Sequence, residues 1–280
     1  MLKKLSPITL LFFSFSTPAL TLMEINTEWL WDCKAPHEGR IIGETRPAPT
    51  CQEYREELEF YASLIKTNNA EAVALAEIEN CNVAKEMATT IGPVWQSVCL
   101  KSRDTFTGQD VALLLNTSVF KPVPNTETTH PEHYAMIGSK KVRPSKVLSA
   151  VARHQVTKEL YLFTTVHLIS KTRSSNEAKR HAQALAVKSG MESISNNYPV
   201  SHTVLMGDMN DYPGSQTLLN LKGDDLINPA DQNDCSYIYR GKCNLIDHIL
   251  VSKSLSGGEL TNLDMPEKYS DHKAVIYSLQ

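Results

Sequence analysis

The stretch Thr203-Val204-Leu205-Met206-Gly207-Asp208-Met209-Asn210-Asp211-Tyr212-Pro213 joins a strand-like apolar run to a turn crowded with oxygen-bearing side chains. Val204 to Met206 have strand composition, and Gly207, a residue that tolerates unusual backbone angles, ends the run. Asp208, Asn210 and Asp211 then fall within four residues, and Pro213 with Gly214 closes the turn. A carboxylate and a carboxamide side by side at a strand end suit a phosphate ester. The carboxylate can hold a cation or a polarised water, while the amide can donate to an anionic oxygen. A simple Asp/Asn-rich turn has the same composition for conformational reasons alone. The remainder of the chain must therefore supply the partners that such chemistry requires.

The elements able to position those partners can be read in chain order. Leu22 to Trp29 forms a first strand that carries Asn26 ahead of an aromatic pair, Trp29 and Trp31. A Pro- and Gly-rich loop over 32–49 leads to Thr50-x-x-Glu53, a capping-box pattern. Behind it Tyr54, Leu58, Tyr61, Ala62 and Ile65 recur at helical spacing, which predicts an amphipathic helix over 51–67. Glu71 to Ile78 is a nearly continuous apolar strand with Glu77 near its end, and a short helix at 82–90 stops at Gly92. Further strands are expected at 94–99, 110–115, 119–123, 147–156 and 160–166, the last delivering His167. A helix of about twenty residues starts at Asn176, with Ala182, Leu185, Ala186, Met191 and Ile194 on its inner side. After the 203–207 strand come a short helix near 215–221, a hairpin from Ser236–Arg240 and Leu245–Val251, and a final strand at Ala274–Leu279. Helices spaced among many short strands, without strict alternation, predict stacked sheets with helices outside.

The composition, 41% hydrophobic and 21% charged, is that of a globular protein, and no repeat or long Gly/Ser linker divides the 280 residues. One domain over 20–280 is expected, preceded by a segment that reads as an export signal. In it Lys3 and Lys4 precede the apolar Leu5–Phe15, and Thr17-Pro18-Ala19 offers small residues for cleavage. The apolar run is too short to span a bilayer comfortably. Loss of Lys3 and Lys4 would move the formal charge from −3 to −5. A mildly acidic protein does not coat itself onto polyanions, so contact with nucleic acid must use local basic loops. The six cysteines all lie beyond the cleavage point and lack close Cys-x-x-Cys spacing. Sequence proximity favours Cys33–Cys51, Cys81–Cys99 and Cys235–Cys243 among the possible pairings, in keeping with a secreted or periplasmic protein.

Asn26, Leu-Ala-Glu ending at Glu77, Val166-His167-Leu168, Gly207-Asp208-Met209-Asn210, Ile246-Asp247-His248 and Ser270-Asp271-His272 follow one another along the chain. This order resembles the endonuclease/exonuclease/phosphatase superfamily, in particular its deoxyribonuclease I-like secreted members, over residues 21–280. The resemblance implies a four-layer α/β sandwich, two packed mixed β-sheets flanked by helices, with the site at one edge. It also implies dependence on Mg²⁺, or on Mn²⁺ or Ca²⁺ in its place. By the same resemblance Glu77 is the principal metal ligand, with Asn26 beside the metal and Asp271 as an additional ligand. Asp208 and Asn210 orient the nucleophilic water and hold the phosphate. His272 acts as general base with Asp247 fixing its tautomer. His167 contacts a phosphate oxygen or helps the leaving group, with Asp110 as its partner, a place that Gln109 could fill after a one-residue shift. Ala76 stands where many relatives have Gln.

Two basic clusters complete the reading: Lys140, Lys141, Arg143 and Lys146, then Lys171, Arg173, Lys179 and Arg180 directly after His167. Such runs are usually solvated loops. Arg143-Pro144 nevertheless resembles a phosphate-contacting position of the secreted nucleases, and Arg143 with Arg173 is expected to bind substrate phosphate. His130-Pro131-Glu132-His133 has the look of a chelating pair but sits in a loop without further ligands. The expected activity is that of a monomeric, secreted, metal-dependent phosphodiesterase without stable membrane association. Its expected substrate is DNA, with RNA as a second polymer, and the expected ends are 5′-phosphate and 3′-hydroxyl. A sphingomyelinase or inositol-phosphate phosphatase shares these motifs, and a membrane-acting relative should expose an aromatic hairpin. A noncatalytic, toxin-like binding subunit would not require both histidines.

Overall fold

Strands covered on both faces read as unbroken apolar runs, and the runs at 72–78, 110–115, 147–152, 160–166 and 204–206 are the centres of two six-stranded sheets. The computed structural model describes residues 19–41, 46–231 and 234–280. The expected leader, Ala19 apart, lies outside the described residues.

The first half of the chain holds β1 (Leu20–Leu30), α1 (Cys51–Thr67), β2 (Ala72–Ile78), α2 (Cys81–Ile91), β3 (Trp95–Cys99), β4 (Asp110–Asn116) and β5 (Phe120–Pro122). Two short strands follow, β6 (Ala135–Ile137) and β7 (Lys140–Val142), then β8 (Lys146–His154) and β9 (Leu160–His167). Next come α3 (Asn176–Asn197), β10 (Val200–Asp208), α4 (Gln216–Lys222) and β11 (Leu226–Ile227). The chain finishes with β12 (Tyr237–Tyr239), β13 (Lys242–Asn244), β14 (Asp247–Ser252), β15 (Glu259–Leu263) and β16 (Ala274–Leu279).

One sheet has the order β15-β16-β1-β2-β4-β3 and the other β11-β14-β10-β9-β8-β5. Each is mixed: β1 runs parallel to β2 and β9 parallel to β10, and the other neighbours are antiparallel. Three apolar layers hold the stack together. Leu22, Ala74, Leu113, Phe163, Met206 and Tyr277 meet between the sheets. Tyr54, Tyr61 and Ile65 of α1 and Met87 of α2 cover the outer face of the first sheet, packing on Met23, Ile25, Val73 and Leu114. Val187 and Met191 of α3 and Leu218 of α4 cover the second, packing on Leu162 and Leu205. The result is the expected four-layer α/β sandwich.

The capping box at α1 is present as read, with Thr50 accepting from the Glu53 N–H and Glu53 accepting from the Thr50 N–H. All three disulfides have the expected pairing. Gly207 is required by close approach: at φ 138° a Cβ there would lie 2.0 Å from the Val166 carbonyl oxygen. The structure corrects two expectations. Leu185 of α3 is 49% exposed, because the buried stripe of the helix runs through Ala184 and Val187. The segment 236–240 does not pair with 245–251; β12 turns back onto β13, and β14 is drawn into the second sheet between β10 and β11. Among the described residues, the histidines of His130-Pro131-Glu132-His133 belong to no group of metal-ligating side chains. His130 is buried, bonded through Nε2 to Ser149 Oγ at 2.7 Å, and its ring fills the space over Gly190.

Candidate active site

Register alone lines up half of the site. Asp208, the last residue of β10, stands opposite Asp247 of β14 on one side and His167 of β9 on the other. Three adjacent strands of the second sheet therefore present His167, Asp208 and Asp247 in a row. The first sheet contributes Asn26 of β1 and Glu77 of β2 from the facing edge.

Backbone irregularity aims these two. The ladder slips after Asn26 and Ala76, and Glu77 adopts φ 63° within the bulge. A non-glycine residue held there costs about 1–3 kcal/mol, a strain that persists only where the surroundings impose it. Asn210 is left-handed as well, at φ 51°, on the turn after β10.

The two sheets meet through Asn26. Its Nδ2 donates to Asp208 Oδ2 at 3.2 Å and to Glu77 Oε1 at 3.4 Å. Its Oδ1 accepts from the Glu28 N–H at 3.0 Å. In this orientation Asn26 clamps the two carboxylates, and its own oxygen is turned away from them. His167 Nε2 lies 3.6 Å from each of the same carboxylate oxygens, and its Nδ1 is buried with no hydrogen-bond partner among the described residues. Burial holds His167 well below the ordinary imidazole pKa, with Lys146 and His272 adding to the effect. Burial raises the pKa of Glu77, against the pull of Lys146 and His272. Burial and then the Asp247 charge push Asp208 well above the usual carboxylate range.

His272 enters on the loop before β16. Its Nδ1 meets Asp247 Oδ2 at 2.8 Å, and its backbone N–H donates to Ser270 Oγ at 3.0 Å. Ser270 Oγ donates in turn to the Asn26 carbonyl at 2.8 Å, tying this loop to β1. Burial opposes charge on His272, but Asp247, by charge and hydrogen bond, more than offsets it and raises the pKa well above that of free imidazole. Such an arrangement makes a base whose protonated form is stabilised where it is produced. Asp271 is on the rim: its backbone N–H donates to Glu28 Oε2 at 2.8 Å, and its Oδ1 is 3.7 Å from His272 Nε2.

Asn210 is close but committed. Its backbone N–H donates to Asp208 Oδ1 at 2.8 Å and its Nδ2 to the Leu168 carbonyl at 3.0 Å. Asp211 anchors the same turn from below, bonded to the buried Arg180 Nε at 3.1 Å, to Lys171 at 2.8 Å and to Thr217 Oγ1 at 2.6 Å.

The pairing of Asp110 with His167 is not what the structure holds. Asp110 accepts from the Ser102 N–H at 2.9 Å, and burial raises its pKa to about 6. Gln109 occupies the site instead: its Nε2 donates to Glu77 Oε2 at 2.5 Å, and its Oε1 accepts from Lys146 Nζ at 2.9 Å. Lys146, which the sequence groups with exposed cations, is buried and also pairs with Asp104 at 3.3 Å. Glu24 escapes the sequence reading altogether. It lies fully buried two positions before Asn26, with no hydrogen-bond partner for either oxygen among the described residues. Its only sequence signal is its alternation with Leu22 and Asn26 on one face of the strand. The expected phosphate contacts are split. Arg143 is turned to the Pro131 carbonyl at 3.0 Å and over the Tyr134 ring, whereas Arg173 stands exposed on the turn after β9.

Ligand atoms of Glu77, His167 and Asp208 lie within 4.8 Å of one another. Two buried carboxylates whose hard oxygens converge, each pushed toward neutrality chiefly by burial, fit a divalent cation. Glu77 and Asp208 would hold it, with His167 alongside.

Two facing mixed sheets, flanked by helices and meeting at an edge of convergent carboxylates and histidines, have the deoxyribonuclease I-like architecture of a superfamily of metal-dependent phosphodiesterases and phosphatases. The chain belongs to the endonuclease/exonuclease/phosphatase family, whose model matches residues 26–279. Solved structures share the fold. The human Nocturnin catalytic domain with bound sulfate is 14% identical, with 93% of this chain and 94% of that one covered at a TM-score of 0.63. A mannosyl-6-phosphatase of Bacteroides thetaiotaomicron is 15% identical over 93% and 100%, at 0.63. Truncated TDP2 of Caenorhabditis elegans is 12% identical over 93% and 97%, at 0.59. A search of curated proteins finds no match to the sequence.

Proposed function

We propose that the protein is a secreted, divalent-metal-dependent endonuclease that hydrolyses DNA, with RNA as a second substrate, to 5′-phosphate and 3′-hydroxyl ends. The observation that carries this reading is the facing of the His272–Asp247 pair with the Glu77–Asn26–Asp208 cluster across one edge of the sandwich. A bound Mg²⁺, or Mn²⁺ or Ca²⁺ in its place, supplies charge neutralisation at the phosphate. The protein does the rest. His272 Nε2 takes the proton from the attacking water, while Asp247 holds the ring through Nδ1 and stabilises the imidazolium. Asn210 fixes Asp208 for its work on water and phosphate, and Arg173 offers an exposed cation beside the strand end that carries His167. Three disulfides support export to an oxidising compartment, and no helix among the described residues is long and apolar enough to cross a membrane.

The test is direct: purified protein with Mg²⁺ against plasmid DNA, RNA and sphingomyelin vesicles in parallel. His272→Ala is expected to lower DNA turnover by about 10²–10⁴-fold at an unchanged thermal transition, and Asp247→Asn by less. Near-normal cleavage by a folded His272→Ala protein would remove the mechanism. Turnover of sphingomyelin with intact DNA at every salt concentration would move the protein to lipid hydrolysis.

A further inference from the structure

A row of flat rings leads outward from the catalytic histidine. Tyr237 of β12 bridges His272 through the backbone, and its ring centroid lies 4.6 Å from the imidazole. Tyr239 projects from the same face of β12, its ring within 16° of parallel to Tyr237 and 6.2 Å away. Nearly parallel rings at that separation are stacked with an offset, so neither covers the whole face of the other. Arg240 lies over Tyr239 at 5.1 Å. The Cys235–Cys243 disulfide staples the base of this hairpin, and its tip is Arg240-Gly241-Lys242.

We propose that this hairpin is a stacking subsite for an unpaired nucleobase, with Tyr239 receiving the base beside the phosphate that is cleaved. The inference rests on the nuclease reading above and narrows it to single-stranded or locally opened nucleic acid. Tyr239 is 51% exposed although it is a large ring next to a candidate active site. A flat aromatic face accepts any base, since every base has a π-face, and neighbouring cations hold the backbone. Arg240 and Lys242 are exposed and supply that charge on a chain that is otherwise net acidic. A paired base inside a duplex offers only its edges, so the rings have no face to meet. A lipid surface suits the hairpin less well. Alternation points its aliphatic residue, Ile238, away from the two rings, and the tip that would enter the bilayer is cationic.

The measurement uses short single-stranded oligonucleotides with one cleavable phosphodiester, carrying either a base or an abasic residue on each side of it in turn. For the parent protein with Mg²⁺, kcat/KM should be about 5- to 150-fold higher with a base than without one at the stacking position. Tyr239→Phe should keep that ratio, and Tyr239→Ala and Tyr239→Leu should bring it close to one. Leucine retains apolar area but no flat face, which separates stacking from general hydrophobic contact. Equal ratios in the parent and Tyr239→Ala would overturn the subsite while leaving the nuclease reading intact. A parent that cuts no oligonucleotide yet hydrolyses bis(4-nitrophenyl) phosphate would defeat the nuclease reading itself, and the subsite with it. Binding to sphingomyelin vesicles that Tyr239→Ala loses and Tyr239→Leu keeps would assign the hairpin to lipid and overturn the proposal.

Discussion

At the residue scale, the neighbours of Glu77 govern the site. Gln109 holds one carboxylate oxygen and Lys146 holds Gln109, so Glu77 is oriented from behind by a neutral amide. Outer partners of this kind are typically worth about 10- to 100-fold in metal affinity. Gln109→Leu is accordingly expected to weaken Mn²⁺ binding by about that factor in calorimetric titration, while Asp110→Asn leaves it within about twofold. Equal losses in the two variants would restore Asp110 to the site. Glu24 makes a different case. A buried carboxyl without a hydrogen-bond partner, as Glu24 is among the described residues, costs about 1–3 kcal/mol. Glu24→Met, which keeps the length and removes the polar atoms, should raise the denaturant midpoint at constant slope by a corresponding amount. A lower midpoint would mean that Glu24 has a stabilising partner after all.

At the element scale, His130 joins the long loop after β5 to the interior of α3. The contact is possible because α3 presents Gly190, where a Cβ would lie 2.0 Å from the imidazole Nδ1. Burial, with a smaller contribution from the nearby His133, lowers the His130 pKa to about 4. The unfolded chain, with an imidazole near 6.5, therefore binds more protons than the folded one between the two values. Stability from this residue is complete above pH about 6.5 and falls as the pH drops toward about 4, by roughly 3 kcal/mol at most. His130→Phe should flatten the pH dependence of the unfolding midpoint across that window. An unchanged slope in the variant would show that His130 is not the group that titrates there.

At the scale of the whole molecule, the disulfides divide by what they connect. Cys33–Cys51 and Cys81–Cys99 each close a separation of 18 residues and fix the starts of α1 and α2. Cys235–Cys243 closes only 8, within one hairpin. Chain entropy assigns about 3 kcal/mol to each of the longer loops and about 2.5 kcal/mol to the short one. The double serine variant of Cys81 and Cys99 should therefore lower the unfolding midpoint more than that of Cys235 and Cys243. The latter should show its effect chiefly in substrate selection, because the hairpin it staples stands beside His272. A larger stability loss from the hairpin pair would reverse this ranking.

Much of this architecture is legible in the sequence because it depends on local physics. Apolar runs too short for helices become covered strands, Thr50 and Glu53 cap a helix from within four residues, and nearby cysteines meet at low entropic cost. The order of Asn26, Glu77, His167, Asp208, Asp247 and His272 likewise points to a family by residue type and succession alone. What the sequence could not decide was which side chains touch. Gln109 and Asp110 are neighbours on a strand edge, and alternation sends them to opposite faces, so a single step of register chooses between site and periphery. The 245–251 run could close a local hairpin or enter a sheet, and only the open edge of β10 decided for the sheet. Lys146 reads as one cation of a surface cluster until β8 enters the second sheet and buries it. The cleft itself belongs to no single segment: Glu77 and Asp208 lie on different sheets, and only the packing of the two sheets brings them to one amide of Asn26.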